Sequence, residues 1–279
     1  MEVSRSQPNP STEYVMGHDD RERRRLSLQA SIINPFMERL LIRAGISAGM
    51  RVFDVGCGVG EVSILAARLV GPHGEVTGVD MDDGALAIAR RKTEELGLTQ
   101  AKFVHNDVLS YQPAGPVDAV IGRHILIHTR DPLGLLQSGF SILNSGGVAV
   151  FQEFDFSVVH AGYPESPLRE RTMKVFRDFF AAATHGNIGT RLYHLLLEAG
   201  FPFPECWAEY PIGGGADSPL YELFAESLRS ILPRAEAMGL ARSEDVAIDT
   251  LAERLKAEAL ELKSAFPMPA MIGCFGRKP

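Results

Sequence analysis

The chain has 279 residues, 45% of them hydrophobic and 23% charged, with 28 Lys and Arg against 35 Asp and Glu and hence a net charge of −7. This is globular usage in a chain long enough to bury a sizeable core, so disorder as a whole is excluded. No run of about 18 apolar residues is present to span a membrane, and the acidic balance lacks the basic footprint of a general nucleic-acid binder.

Residues 1–18, rich in Ser, Pro and Asn, read as a flexible tail, and the absence of an apolar signal-type stretch favours a cytoplasmic location. From Asp19 to about Ala44 the apolar residues Leu26, Ile33, Phe36, Leu40 and Leu41 recur at helical spacing. Pro35 is expected to divide this stretch into two helices, because proline removes a donor and crowds the preceding turn. The run Arg21, Arg23, Arg24, Arg25 reads as a solvated face balanced by Asp19, Asp20 and Glu22. An alternation of strands and helices follows: strand 51–55, helix 61–70, strand 75–79, helix 83–96 closed by Gly97, strands 102–105 and 117–121, helix 132–143 and strand 148–153. Beyond Asp155 come helices at 168–183 and 191–199 and strands at 205–210 and 270–275. The helical stretch 213–266 between those last two strands is more than a sheet needs and reads as a lid.

The pattern predicts an α/β fold, a doubly wound, mostly parallel sheet of Rossmann-like type. The expected organisation is a tail and helical cap over 1–45, a ligand-binding core over 46–155 and a substrate half over 156–279. Three scattered cysteines, Cys57, Cys206 and Cys274, lack CxxC spacing, so neither a disulfide framework nor a zinc site is expected. The aromatic residues Tyr163, Phe176, Phe179, Phe180, Phe201, Phe203 and Trp207 read mostly as core, with some lining an apolar ligand pocket.

The segment Asp54-Val55-Gly56-Cys57-Gly58-Val59-Gly60 leaves a strand and opens a helix, where glycines let backbone approach a nucleotide-like ligand. Asp54 would repel a pyrophosphate and suits a cationic ligand instead. Asp80, ending the next strand, is placed for ribose hydroxyls. Glu61 occupies the position where the dinucleotide pattern GxGxxG needs its third glycine, and no Walker-type GK[ST] is present. A nicotinamide-dependent oxidoreductase is accordingly disfavoured.

Taken as an ordered set, DVGCGVG, VTGVDMD, Phe103 to Val108, the stretch Ile121 to Pro132 and the Leu143-Asn144-Ser145-Gly146-Gly147 turn resemble the class I S-adenosylmethionine-dependent methyltransferases. The resemblance spans roughly residues 45–155, favours the small-molecule branch of ubiquinone and menaquinone biosynthesis, and implies that family's seven-stranded sheet. The Ser145 position departs from the family's usual proline. The resemblance implies S-adenosylmethionine held by Gly56, Cys57, Gly58, Gly60 and the Arg123 carbonyl, with Asp54 nearby. It further implies Asp80 on the ribose, Met81 against the adenine, Asn106, Asp107 and Val108 at the adenine edge, and Tyr14 as a cap.

His124 and His128 flank the exit of the fourth strand beside the expected methyl position. They are candidate bases or orienting groups, and Glu153 is a candidate proton acceptor or substrate contact. The same Glu153 has an equally good role in binding backbone, as has Asp155. A metal held by the two histidines would need this stretch to be helical, and the intervening Ile125, Leu126 and Ile127 argue against it, so no metal is expected. The expected partners are a small, largely apolar acceptor methylated on oxygen, nitrogen or carbon and a second copy of the chain in a homodimer, with neither nucleic acid nor membrane expected. A non-catalytic S-adenosylmethionine-binding protein is the alternative.

Overall fold

The computed structural model describes residues 20–158 and 160–279. A first helix, α1 (Asp20–Arg43), leads into alternating units: β1 (Arg51–Val55), α2 (Glu61–Val70), β2 (Glu75–Asp80), α3 (Asp83–Glu95), β3 (Ala101–His105), β4 (Val117–Arg123), α4 (Pro132–Ile142) and β5 (Leu143–Asp155). Then follow α5 (Pro167–Ala183), α6 (Ile188–Glu198), β6 (Glu205–Glu209), β7 (Ile212–Gly213), α7 (Leu220–Ala237), α8 (Ser243–Val246), a 3-10 turn at Ile248–Thr250, α9 (Leu251–Leu262), β8 (Phe266–Pro267) and β9 (Ala270–Arg277).

Seven strands form one sheet in the order β3-β2-β1-β4-β5-β9-β6. β9 runs antiparallel to both of its neighbours, and the other pairings are parallel. The order reverses between β1 and β4, where the two flanking crossovers leave in opposite directions and open a crevice at the strand C-termini. Both faces are covered, so the central strands are almost continuously buried. On one face Met37, Leu40 and Leu41 of α1 and Val62, Leu65 and Ala66 of α2 pack on Val52, Val76, Ile121 and Val150. On the other, Leu135 and Leu136 of α4 and Leu192 and Leu196 of α6 pack on Phe53, Val120 and Phe151.

Pro35 does not split the first helix, which is continuous through it. The proline lies on the exposed face, as does Ser31, whose carbonyl it leaves without a helical donor, while Ile33 and Met37 on either side are fully buried and hold the two halves in line. The arginine run is also more than a solvated face. Arg21 reaches Glu226 on α7 at 2.5 Å and 2.8 Å, and Arg25 is only 4% exposed. The fifth strand begins earlier than expected, at Leu143.

The segment before the last strand folds into α7 to α9, and β7 and β8 pair antiparallel to close its base. Buried Arg169 of α5 secures that base, donating to the carbonyl of Pro267 at 2.6 Å and of His160 at 2.8 Å. Two further expectations are corrected. Cys206 and Cys274 are in register on β6 and β9 and form a disulfide, with Cα atoms 4.1 Å apart, a pairing that a sequence separation of 68 gives no means to foresee. Phe203 and Tyr163 are exposed at 91% and 85% rather than core, whereas Phe179 and Phe201 are buried as expected.

Candidate active site

The rim of the crevice is built from successive strand ends. After β1 the chain turns through Gly56, Gly58 and Gly60, with φ of 66°, 51° and 80°. These left-handed conformations favour glycine, and two of the positions are also sterically closed. A Cβ on Gly56 would stand 2.4 Å from Ile125 Cδ1, and one on Gly60 would stand 2.8 Å from the Ala89 Cβ. At Gly58 a Cβ would meet nothing within 4 Å, so this side of the turn is an open cradle. The Cys57 side chain points away from it, because a Cβ on Gly78 would touch its Sγ at 2.8 Å; Cys57 therefore offers the crevice only backbone.

Asp80 closes β2 with its carboxylate accepting the Gly58 amide at 2.8 Å and the Asp82 amide at 2.9 Å. Met81 is 60% exposed beside it and accepts His105 Nε2 through its carbonyl. At the end of β3, the Asn106 amide donates to the Asp80 carbonyl at 3.1 Å, which joins the two strand ends. Asp107 caps its own turn by accepting the Leu109 amide, and Val108 packs on the core. Tyr14 lies outside the described residues.

Asp54 is buried behind the glycine turn and accepts the Ser63 hydroxyl at 2.5 Å. Burial pushes its carboxyl up to about 7, against the opposing pull of Ser63 and Arg123. It is thus a group poised near half-ionisation rather than the fixed anion the sequence suggests. Arg123, the last residue of β4, donates to Asn34 of α1 at 2.8 Å. Asn34 in turn donates to Glu61 at 3.0 Å, and Lys92 of α3 donates to the same carboxylate at 2.5 Å. Burial raises Glu61, yet the bonds from Lys92 and Asn34 outweigh it and hold the carboxyl below its usual range. This chain of contacts clasps α1 across the rim, and Asn34 carried no signal that would single it out in sequence.

One residue further on, His124 adopts φ 54° and stacks on Phe154 with ring centroids 4.3 Å apart. Its Nδ1 lies 3.4 Å from Gln29 Nε2, and its Nε2 is buried with no hydrogen-bond partner among the described residues. His124 and His128 both face a cavity walled by Phe154, Phe156, Phe176, Phe180 and Phe224, with Arg25, Gln29 and Ser227 as its polar edge. Phe156 and Phe180 stack in this wall with ring centroids 4.1 Å apart. Burial drives the His124 imidazole well below its usual pKa and His128 to about 4, with neighbouring arginines adding to the effect. Both rings are therefore neutral at pH 7.

Glu153 is fully buried and accepts the amides of Ile125 and Leu126 at 3.0 and 2.8 Å. It fixes the loop that carries the histidines and does not line the cavity. Burial pushes it up to about 8. Asp155 likewise serves backbone, accepting the Thr190 amide at the start of α6 at 2.6 Å. Of the expected aromatic residues, Phe176 and Phe180 line the cavity. Phe154, Phe156, Phe224, Gln29 and Ser227 were not singled out, and Arg25 was read only as part of a solvated face, because these residues converge from β5 and the segment after it, α1 and α7. No cluster of three metal-ligating side chains occurs among the described residues, and no described helix is long and apolar enough to cross a membrane.

Open glycine backbone, a carboxylate at the next strand end and an adjacent apolar chamber fit a nucleoside with a cationic sulfur better than a pyrophosphate. Comparison with known proteins agrees. Residues 46–200 match the methyltransferase-domain family. The chain is 36% identical over 104 residues to the ubiquinone biosynthesis O-methyltransferase of Ruegeria sp., covering 37% of this chain and 40% of that protein. It is 28% identical over 142 residues to the demethylmenaquinone methyltransferase of Geobacillus kaustophilus, covering 50% and 60%. The chain thus spans only about half the length of the curated relatives it matches. Among solved structures, the YcgJ protein of Bacillus subtilis superposes with a TM-score of 0.58 at 15% identity, over 88% of this chain and 99% of that one, a likeness of fold alone. More than half of the chain lies within the family match, and it belongs to the methyltransferase-domain family, within the class I S-adenosylmethionine-dependent methyltransferases.

Proposed function

We propose that the protein transfers a methyl group from S-adenosylmethionine to a small, largely apolar acceptor held in the phenylalanine-walled cavity. The observation that carries this reading is the junction at Arg123 and His124: the first residue closes the glycine-turn rim, and the second faces the cavity. A ligand on the rim and a ligand in the cavity would therefore meet at one strand end.

On this reading Asp80 binds the ribose diol with the lone pairs that Gly58 and Asp82 leave open. Gly56 and Gly58 give their backbone to the methionyl part, with Asp54 drawn toward its ionised form by the ammonium beside it. Asn106, Asp107 and Val108 meet the adenine edge, Met81 covers its face, and Tyr14 closes over it. When bound, S-adenosylmethionine supplies an electrophilic methyl group on a cationic sulfur. The chain contributes proximity and alignment, and α1 and α7 exclude water over the cavity. His124 and His128, neutral at pH 7, can each receive a proton if the acceptor must lose one. The phenylalanine wall matches an acceptor with a flat apolar body.

The test has two parts. Calorimetry with S-adenosylhomocysteine should show one site per chain, and methyl-labelled S-adenosylmethionine with a metabolite extract should yield a labelled small molecule. Binding without any labelled product would instead favour a non-catalytic binder.

A further inference from the structure

Hydrogen bonds at the cavity edge fix where one proton sits. A guanidinium can only donate, so the 2.7 Å contact between Arg25 Nη1 and Gln29 Oε1 turns the amide oxygen of Gln29 toward Arg25 and its nitrogen toward His124. That nitrogen lies 3.4 Å from His124 Nδ1 and is itself a donor, so Nδ1 is the acceptor of the ring. Burial keeps the imidazole neutral at pH 7, and its one ring proton therefore sits on Nε2. Nε2 is buried with no partner among the described residues, which costs the donor its hydration and returns nothing. The backbone beneath the ring is also held outside its ordinary range. His124 keeps φ 54° while its amide donates to the Gln152 carbonyl at 2.9 Å and Glu153 holds the amides of Ile125 and Leu126. Strain of this kind persists where the surrounding structure over-determines it, and it clusters at ligand sites.

We propose that the acceptor carries a carbonyl oxygen on its flat apolar body and that His124 donates its Nε2 hydrogen to that oxygen. The ring lines the cavity beside Phe154, one residue beyond Arg123, so the oxygen it holds lies near the atom that receives the methyl group. An oxygen without a hydrogen suits a lone buried donor, because a hydroxyl would need an acceptor for its own proton as well. Any proton that His124 receives goes to Nδ1, on the Gln29 side of the ring, and toward the acceptor the residue acts as a donor that determines specificity. This assignment rests on the methyl-transfer reading of the same cleft.

One experiment reads the proton directly. Nitrogen NMR of histidine-labelled protein at pH 7 should show the His124 ring with Nε2 protonated and Nδ1 bare. Its signals are assigned by their loss in His124→Phe and in His124→Asn, the latter a residue suited to left-handed backbone. The opposite tautomer or a doubly protonated ring would overturn the proposal, whatever binds. A second experiment titrates 2-acetylnaphthalene and its shape-matched alkene, 2-isopropenylnaphthalene, by calorimetry into the protein saturated with S-adenosylhomocysteine. The ketone should bind more tightly by about fivefold or more, as one buried hydrogen bond provides, and His124→Phe should erase the difference. Equal affinities in the unaltered protein, a preference that survives His124→Phe, or no binding of the ketone would overturn the proposal. A His124-dependent preference for 1-(2-naphthyl)ethanol over the ketone would overturn the carbonyl in favour of a hydroxyl. Lack of S-adenosylhomocysteine binding by the unaltered protein would instead strike the methyl-transfer reading itself, since the tautomer is read without that ligand.

Discussion

Asp80 and Gly58 are joined by a hydrogen bond of 2.8 Å that runs from the glycine amide to the carboxylate. The bond ties the end of β2 to the middle of the turn after β1, and so one side chain both shapes the glycine cradle and faces the crevice. On the proposed reading, Asp80→Ala removes an acceptor from the ligand, and it removes a brace from the loop. We expect the affinity for S-adenosylhomocysteine to fall by about 100-fold, or about 2.7 kcal/mol, in a variant that still melts cooperatively. An affinity within a few-fold of the parent, measured by calorimetry, would remove Asp80 from the cofactor site.

Glu153 makes the protein's stability depend on pH in a specific sense. Burial raises its folded pKa to about 8 from an ordinary value of 4.5. The folded state therefore holds a proton that the unfolded chain releases, so the stabilising contribution is full below about pH 4.5 and is lost as the pH rises toward 8. Glu153→Gln keeps an oxygen for the Ile125 and Leu126 amides and abolishes the titration. Melting temperatures recorded from pH 5 to pH 8 should fall less steeply in the variant than in the parent, and parallel slopes would refute this.

His128 acts in the opposite direction. Burial lowers its folded pKa to about 4 from 6.5, so it favours the folded state fully above pH 6.5 and loses that contribution as the pH falls toward 4. If the ring accepts a proton from the acceptor, the acid limb of the kcat profile lies near pH 4 rather than 6.5. His128→Phe should then lower kcat by about 100-fold or more with cofactor affinity intact. A variant that retains full kcat would leave His128 an orienting wall of the cavity.

The Cys206–Cys274 pair gives a chemical signature. Protein unfolded without reductant should expose one reactive thiol, that of Cys57, and reductant should raise the count to three. Closing a loop with a sequence separation of 68 stabilises by about 2–4 kcal/mol, so Cys206→Ser should lower the melting temperature of the oxidised protein. Three reactive thiols before reduction would mean that the bridge is not formed in the protein as prepared.

The order of strands and helices was legible because each carries its own local signal. Apolar runs of strand length, glycines where φ must be positive and caps such as Asp82 and Asp131 act over a few residues, whatever lies elsewhere in the chain. The glycine turn and Asp80 were legible for the same reason, since a strand end and the turn after it are neighbours in sequence. Glu153 was legible only as a position. That its carboxylate holds the Ile125 and Leu126 amides depends on how β4 and β5 align, and no local pattern sets that.

The residues in order thus determined the α/β alternation, the glycine turn at the sheet's strand-end crevice and the family to which the chain belongs. Tertiary structure alone decided that Pro35 leaves its helix whole, that Cys206 meets Cys274, and that Arg25, Gln29, His124 and Ser227 share one phenylalanine-walled chamber. The reason is range: backbone conformation is set over a turn or two, whereas burial, charge and pairing at the cavity arise where α1, β5, α5 and α7, far apart along the chain, are pressed together by the common core.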